Sequence, residues 1–287
     1  MNKTEVMRII REEGLRPAKS RGQNFLVDAG VLEKIIGAVG PTGDDRILEI
    51  GPGLGALTGP MIEKSGRVTA VEIDSGFYRY LAKRFGDAAN FSPVHGDVLR
   101  WEPRESYTKI VSNLPYYCSS EILFWMARRD APVSFVMVQK ELAARITAGA
   151  GEKNYGALSV TLGFHYESRV LFPVSRGCFH PRPEVDSAFL GLRRRKPAPL
   201  GEEEAALFRG LVRSAFWGRR KTMLRALGDS PHLDLGREGA ARILERAGIA
   251  SSARGEDLAP DRFMALARAW GEDMKRDAVD AGGTRGG

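Results

Sequence analysis

Apolar residues recur at helical spacing over residues 4–13, where Val6, Ile9 and Ile10 share one side and Gly14 follows as a stop. The same period returns over residues 29–39 with Val31, Leu32, Ile35 and Ile36. Residues 19–26 between them carry no period, which predicts a loop. From Arg46 onward short apolar runs at 46–50, 67–73, 91–95, 109–112 and 134–138 alternate with helical periods near 54–64, 76–85, 119–128 and 140–148. Such alternation predicts a mainly parallel sheet covered on both faces. Two further strands, 169–174 and 187–192, have no obvious helix between them and are expected at an antiparallel edge. Two prolines and a glycine within 196–201 interrupt both periods and mark a linker. Beyond it the pattern is helical over 202–216, 219–227, 236–247 and 259–270. From Gly271 the chain is polar and glycine-rich and is expected to be disordered.

The fold class is therefore α/β: a Rossmann-like sheet domain over residues 1–198, opened by a helical segment over 1–28, then a smaller all-helical domain over 199–271 and a tail over 272–287. A chain of 287 residues can bury one large core and one smaller one. No run approaches the roughly 18 apolar residues of a membrane span, and residues 1–14 are charged rather than leader-like. The expectation is a cytoplasmic protein without a membrane partner, and a monomer. Cys118 and Cys178 cannot build a disulfide framework, and with no CxxC spacing and scattered histidines no metal is expected. No role is assigned to either cysteine.

Charge changes the picture through its distribution. The formal net charge is +7, yet residues 1–25 carry six basic and three acidic side chains and residues 182–225 carry eleven and five. These two segments exceed the total, so the rest is slightly acidic. Two local basic patches beside a near-neutral sheet domain suit a phosphate backbone, although solvated helix faces would give the same count.

The candidate chemistry lies at strand ends. In Glu49-Ile50-Gly51-Pro52-Gly53-Leu54-Gly55 the glycines follow a strand and precede a helix, where backbone can approach a ligand closely. The GxGxG spacing differs from the GxGxxG of dinucleotide sites, which speaks against a nicotinamide oxidoreductase. Glu72, at the next strand end about 20 residues on, is placed to accept ribose hydroxyls. Asp97 ends the third strand, where its carboxylate can take a hydrogen bond from an adenine amino group. Taken singly, each acid could equally be a turn or cap residue. Their order points to S-adenosylmethionine. Asn113-Leu114-Pro115-Tyr116 follows the fourth strand. An adenine N6 nitrogen is a poor nucleophile until acceptors draw its N–H groups out of the ring plane, and the Asn113 side-chain oxygen with the Leu114 or Pro115 carbonyl offers them. Tyr116 offers a stacking face for an unstacked base.

At these residues the chain resembles the ribosomal RNA adenine dimethyltransferases, nearest their small-subunit branch. The resemblance extends from about Ile9 to Trp270 and includes Gly22-Gln23-Asn24-Phe25-Leu26, Gln139-Lys140-Glu141, Tyr155-Gly156-Ala157-Leu158-Ser159-Val160, Phe179-His180-Pro181-Arg182-Pro183-Glu184-Val185-Asp186-Ser187-Ala188 and Arg219-Arg220-Lys221-Thr222. It implies an S-adenosylmethionine-dependent methyltransferase whose cofactor is contacted by Asn24, Leu26, Gly51, Glu72, Asp97 and Asn113. Catalysis would fall to Asn113, Leu114, Pro115, Tyr116 and Phe179, with Tyr116 and Phe179 on opposite faces of the flipped adenine. RNA would be held by Arg21, Arg219, Arg220 and Lys221, the last three on a helix over the basic segment 213–225. The implied substrate is a pair of adjacent adenosines in a hairpin loop near the 3′ end of small-subunit rRNA within the 30S particle, each dimethylated at N6, which would place the protein in ribosome biogenesis. The class that methylates large-subunit rRNA shares the catalytic motifs, and an assembly factor whose binding outweighs its catalysis is a further alternative. Arg182 and Glu184 depart from the family pattern, where proline and lysine are common, so no phosphate contact is carried over to residue 184.

Overall fold

The computed structural model describes residues 1–17, 23–196, 200–218 and 220–283, with 277–283 as backbone only. The chain forms two compact units, one of residues Met1–Ala143 with Glu167–Arg194, the other of Ala144–Tyr166 with Arg195–Gly287. This division differs from the linear one expected, because the stretch ending at Tyr166 joins the helical unit although it precedes the last sheet strands.

The first unit holds strands β1 (Phe25–Leu26), β2 (Arg46–Ile50), β3 (Arg67–Glu72), β4 (Phe91–His95), β5 (Lys109–Asn113), β6 (Val133–Gln139), β7 (Tyr166–Val174), β8 (Phe179–His180) and β9 (Ser187–Arg194). The main sheet has the order β4-β3-β2-β5-β6-β9-β7. From β4 through β6 neighbouring strands are parallel, and β9 pairs antiparallel with β6. The expected antiparallel end is thus present. β2 has β3 on one side and β5 on the other, so chain direction across the sheet reverses between β2 and β5, and ligands of such sheets bind in the crevice beyond the carboxyl ends at that point. The strands are apolar nearly throughout, as burial on both faces demands: Ile47, Leu48, Val68, Val111 and Val136 are fully buried.

Helices α1 (Lys3–Glu12), α2 (Ala29–Val39), α3 (Thr58–Lys64), α4 (Ser75–Phe85) and α5 (Ser119–Ala127) complete this unit. Three begin at side-chain caps: Asn2 accepts from the Glu5 amide, Asp28 from that of Val31, and Asp74 from those of Gly76 and Phe77. The inward faces of α1 to α4 join one core with Ile9, Ile35, Met61, Phe77 and Leu81. The loop expected over 19–26 ends instead in β1, which pairs antiparallel with β8, Phe25 opposite His180 and Leu26 opposite Phe179. Residues 18–22 lie outside the described ones.

The chain passes through α6 (Lys140–Ile146) into the second unit, which contains α7 (Ala157–His165), α8 (Glu202–Phe216), α9 (Met223–Gly228), α10 (Gly236–Arg246) and α11 (Pro260–Gly283). Its core gathers Val160, Phe164, Phe208, Leu211, Ile243, Phe263 and Leu266, with the Phe164 and Phe208 rings 4.4 Å apart. The sequence pattern shows no helix at α7 because Leu158, Val160, Leu162 and Phe164 are all buried and no polar stripe marks a period. The tail expected from Gly271 is also corrected over its described part, since α11 runs to Gly283 and Asp273, a buried residue of that helix, pairs with Arg242 at 3.2 Å and Arg246 at 2.8 Å; residues 284–287 lie outside the described ones.

Candidate active site

A cavity opens at the switch point, lined by Gln23, Asn24, Phe25 and Leu26 from the N-terminal segment, by Glu49 and the glycine turn after β2, by Glu72 and Ile73 after β3, and by Asn113 to Tyr117 after β5. The chain delivers these groups from four separate places to one crevice. All belong to the first unit.

The glycine turn occupies residues 51–57, so α3 starts at Thr58 rather than near residue 54 as the apolar period suggested. Gly51 has φ of +67°, a conformation costly for other residues, and a Cβ built there would meet nothing within 4 Å. Close backbone approach to a ligand is therefore open at Gly51. Gly55 serves a different purpose: with φ of +77°, its missing Cβ would lie 2.6 Å from the Phe85 ring and 3.0 Å from Leu81. Its smallness seats α4 against the turn.

Two buried carboxyls stand at the cavity floor. Glu72 accepts from the Gly53 amide at 3.1 Å through one oxygen and from the Asp74 amide at 2.9 Å through the other. Burial pushes its carboxyl up, and these amides pull it back. The Ile73 amide contributes as well, and a carboxylate with about four acceptor sites still has room for a ligand hydroxyl. Glu49 is 2% exposed, accepts from the Thr58 hydroxyl at 2.6 Å, and is pushed up to about 8 by burial and secondarily by the neighbouring Glu72 charge. It is a site group that sequence reasoning passed over, although a glutamate inside the apolar run Ile47-Leu48-Glu49-Ile50 was a visible signal. Ile73 is 44% exposed and Tyr117 54% exposed, both on the cavity lining and both outside the expected set.

Asn113 ends β5, and its side-chain amide N–H donates to the Asn24 carbonyl at 3.2 Å. That leaves its oxygen as the acceptor for a ligand. The Leu114 amide donates to the Met137 carbonyl on β6 at 3.0 Å, pinning the segment to the sheet. The Pro115 carbonyl accepts the Ser119 hydroxyl at 2.8 Å at the start of α5, which commits it locally. The Leu114 carbonyl thus becomes the better candidate for a second acceptor. The Tyr116 hydroxyl lies 2.8 Å from the Ser187 hydroxyl oxygen on β9, and burial pushes its phenol up. A second cleft shares Gln23, Asn24, Tyr116 and Tyr117 with the cavity and continues past Gln139 and Pro181 to Arg182 and Glu184.

Of the expected cofactor contacts, Asn24, Leu26, Gly51, Glu72 and Asn113 meet in this cavity; Asp97 does not line it. The Asp97 carboxylate caps its own turn, accepting from the Leu99 amide at 3.0 Å with Arg100 at 3.9 Å. It remains close, because the Gly96 amide donates to the Glu72 carbonyl at 3.0 Å. Leu114, Pro115 and Tyr116 line the cavity, but Phe179 does not. At 3% exposure Phe179 is packed into the core through β8, so it presents no open ring face opposite Tyr116. Arg220 and Lys221 belong to the second unit, in the turn between α8 and α9. They are not on a helix as expected: α9 begins only at Met223, whose amide donates to the Ala253 carbonyl at 2.7 Å. Arg21 and Arg219 lie outside the described residues. Among the described residues no group of three or more His, Cys, Asp or Glu side chains is arranged to hold a metal, and no helix is long and apolar enough to cross a membrane.

Sheet order, switch-point crevice and strand-end carboxyls together define a transferase of the Rossmann-like methyltransferase class. A family model described as ribosomal RNA adenine dimethylase matches residues 15–268, and the chain belongs to that family. Ribosomal RNA small subunit methyltransferase A of Pelotomaculum thermopropionicum is 39% identical over 97% of this chain and 97% of its own. The protein of the same name from Moorella thermoacetica is 41% identical over 91% of this chain and 94% of its own. Among solved structures, a dimethyladenosine transferase from Plasmodium falciparum shares the fold with a TM-score of 0.74 at 24% identity, over 84% of this chain and 95% of that one. The 23S rRNA methyltransferase ErmE gives 0.67 at 26% identity, over 86% and 99%.

Proposed function

We propose that this chain is an S-adenosylmethionine-dependent rRNA adenine N6-dimethyltransferase acting on small-subunit rRNA, with two adjacent adenosines of a hairpin loop near the 3′ end as acceptors in the 30S particle. The cofactor brings an electrophilic methyl group on a sulfonium. Glu72 would hold the ribose through its free lone pairs, Gly51 would let the backbone lie against the ligand, and Asn24 and Leu26 would close the N-terminal side. Asp97, tied to Glu72 through Gly96, would take the adenine amino group of the cofactor.

The observation that carries the reading is the orientation of Asn113: its side-chain NH2 donates to Asn24, and its oxygen stays available in the same cavity as Glu72. That oxygen and the Leu114 carbonyl would accept the two N–H groups of the target N6, drawing its lone pair out of conjugation. No strong base is required, because alkylation makes the nitrogen acidic enough to release its proton to water. Rate would come from positioning. Tyr116 would stack one face of a base entering through the second cleft, while Phe179 supports that wall from the core.

The identities of about 40% over nearly the whole length support the small-subunit reading over the large-subunit one. A monomer in the cytoplasm fits the reading. Mass spectrometry of rRNA after incubation of 30S particles with the protein and S-adenosylmethionine should find N6,N6-dimethyladenosine at two neighbouring positions. Asn113→Ala should abolish transfer while S-adenosylmethionine still binds, its affinity weakened far less than the rate. Methylation of 23S rRNA instead, or transfer undiminished in Asn113→Ala, would overturn the assignment.

A further inference from the structure

Tyr116 borders both the cofactor cavity and the second cleft, so the direction of its ring sets the wall between them. Its backbone is fixed by the sheet pairing of Leu114 and by the bond from Ser119 to the Pro115 carbonyl. What stays free is rotation of the side chain. The hydroxyl at the far end of the ring removes that freedom by bonding to Ser187 Oγ at 2.8 Å. Ser187 is a rigid anchor. It is 0% exposed, opens β9, and sits in register opposite Gln139 on β6, another lining residue of the second cleft. A short side chain on a paired strand has little room to move, whereas a lone phenol in a cleft would sample several ring directions. Ser187 is fully buried, so loss of the Tyr116 hydroxyl leaves its own hydroxyl without a ready replacement partner, and loss of the Ser187 hydroxyl leaves the half-buried phenol with no fixed protein partner.

Resting on the acceptor-site reading above, we infer that Ser187 is a positioning residue for methyl transfer, holding the plane of the Tyr116 ring so that a stacked adenine presents its amino nitrogen to Asn113. Ser187 acts through Tyr116 and touches neither substrate. Its loss slows the step after binding, since a free ring still offers an apolar face to a base but no longer a single direction. Cofactor affinity is unaffected because none of the carboxyl or glycine contacts changes.

Transfer by the unaltered chain and its loss in Asn113→Ala establish the site first, using full-length protein and 30S particles. With that in place, Ser187→Ala should lower kcat about fivefold to tenfold, the scale of one hydrogen bond. KM for the particle and Kd for S-adenosylmethionine should stay within twofold. Ser187→Thr, which keeps the γ-hydroxyl, should recover most of the rate. Tyr116→Phe should resemble Ser187→Ala, and the double variant should be no slower than either single one. Wild-type kcat in Ser187→Ala, or losses that multiply in the double variant, would overturn the inference. So would a Ser187→Ala protein that loses cofactor binding together with rate, which would assign Ser187 to the fold alone.

Discussion

At the scale of single residues, Glu49 shows how a sheet can keep a carboxyl in its acid form. Desolvation disfavours the charge, Glu72 adds to the effect, and the Thr58 hydroxyl offsets only part of it. The unfolded chain releases this proton near 4.5, whereas the folded one retains it to about 8. Between those values the native state binds more protons, so stability falls as pH rises through that window and levels off above it. Glu49→Gln should flatten that slope and raise Tm relative to the parent above pH 8, measured by thermal unfolding from pH 5 to 9. An equal pH slope in both proteins would remove Glu49 as its source. The sequence displayed the residue types of this site well, because Asn113 and Glu72 stand where strands end and the period breaks. It did not display depth. Phe179 belongs to the same motif run as Ser187, yet only the β1–β8 pairing determines that its ring is in the core. The glycines were similarly ambiguous, since Gly51 answers to a ligand and Gly55 to Phe85.

Elements were legible where one face is apolar and the other polar, and obscure where tertiary contacts decide. α8 matches its expected bounds because Glu202, Glu203 and Glu204 open it and its apolar residues keep the helical period. The two-residue strands β1 and β8 have no signature of their own, since each exists only through the other. The basic stretch 213–225 kept helical spacing, yet the chain turns after Trp217, where Lys221 donates its amide to the Gly218 carbonyl at 2.8 Å. In that turn the Lys221 ammonium lies 3.7 Å from the centre of the Trp217 ring, and Trp217 is itself held by its indole N–H on the Ala226 carbonyl at 3.1 Å. Arg220 and Lys221 from the turn and Arg225 from α9 line one concavity, so these positive groups converge at the start of α9 rather than following a single helix. Reversing charge at Arg220 and Lys221 should weaken binding to 30S particles roughly tenfold or more and reduce its salt dependence, with cofactor affinity normal. Loss of both affinities together would mean misfolding instead.

For the whole molecule, composition and strand–helix alternation were enough to assign an α/β sheet domain with a helical companion, while the path of the chain between them was not readable. Linker signals are local, and Lys196 to Gly201 was the one visible break. The earlier passage at Ala144 carries no proline or glycine cluster, because α6 spans it as continuous helix. A discontinuous unit has a consequence for how the protein is made and broken. The segment 144–166 leaves the ribosome well before the helices that complete its core, so it must wait with Val160 and Phe164 unsheltered until Phe208 and Phe263 arrive. After completion the dependence reverses. A protease site inserted near residue 167 and cut once should leave the two fragments co-eluting as one particle on gel filtration under native conditions, parting only in denaturant. Fragments that separate without denaturant would show that this interleaving of the chain does not hold the protein together.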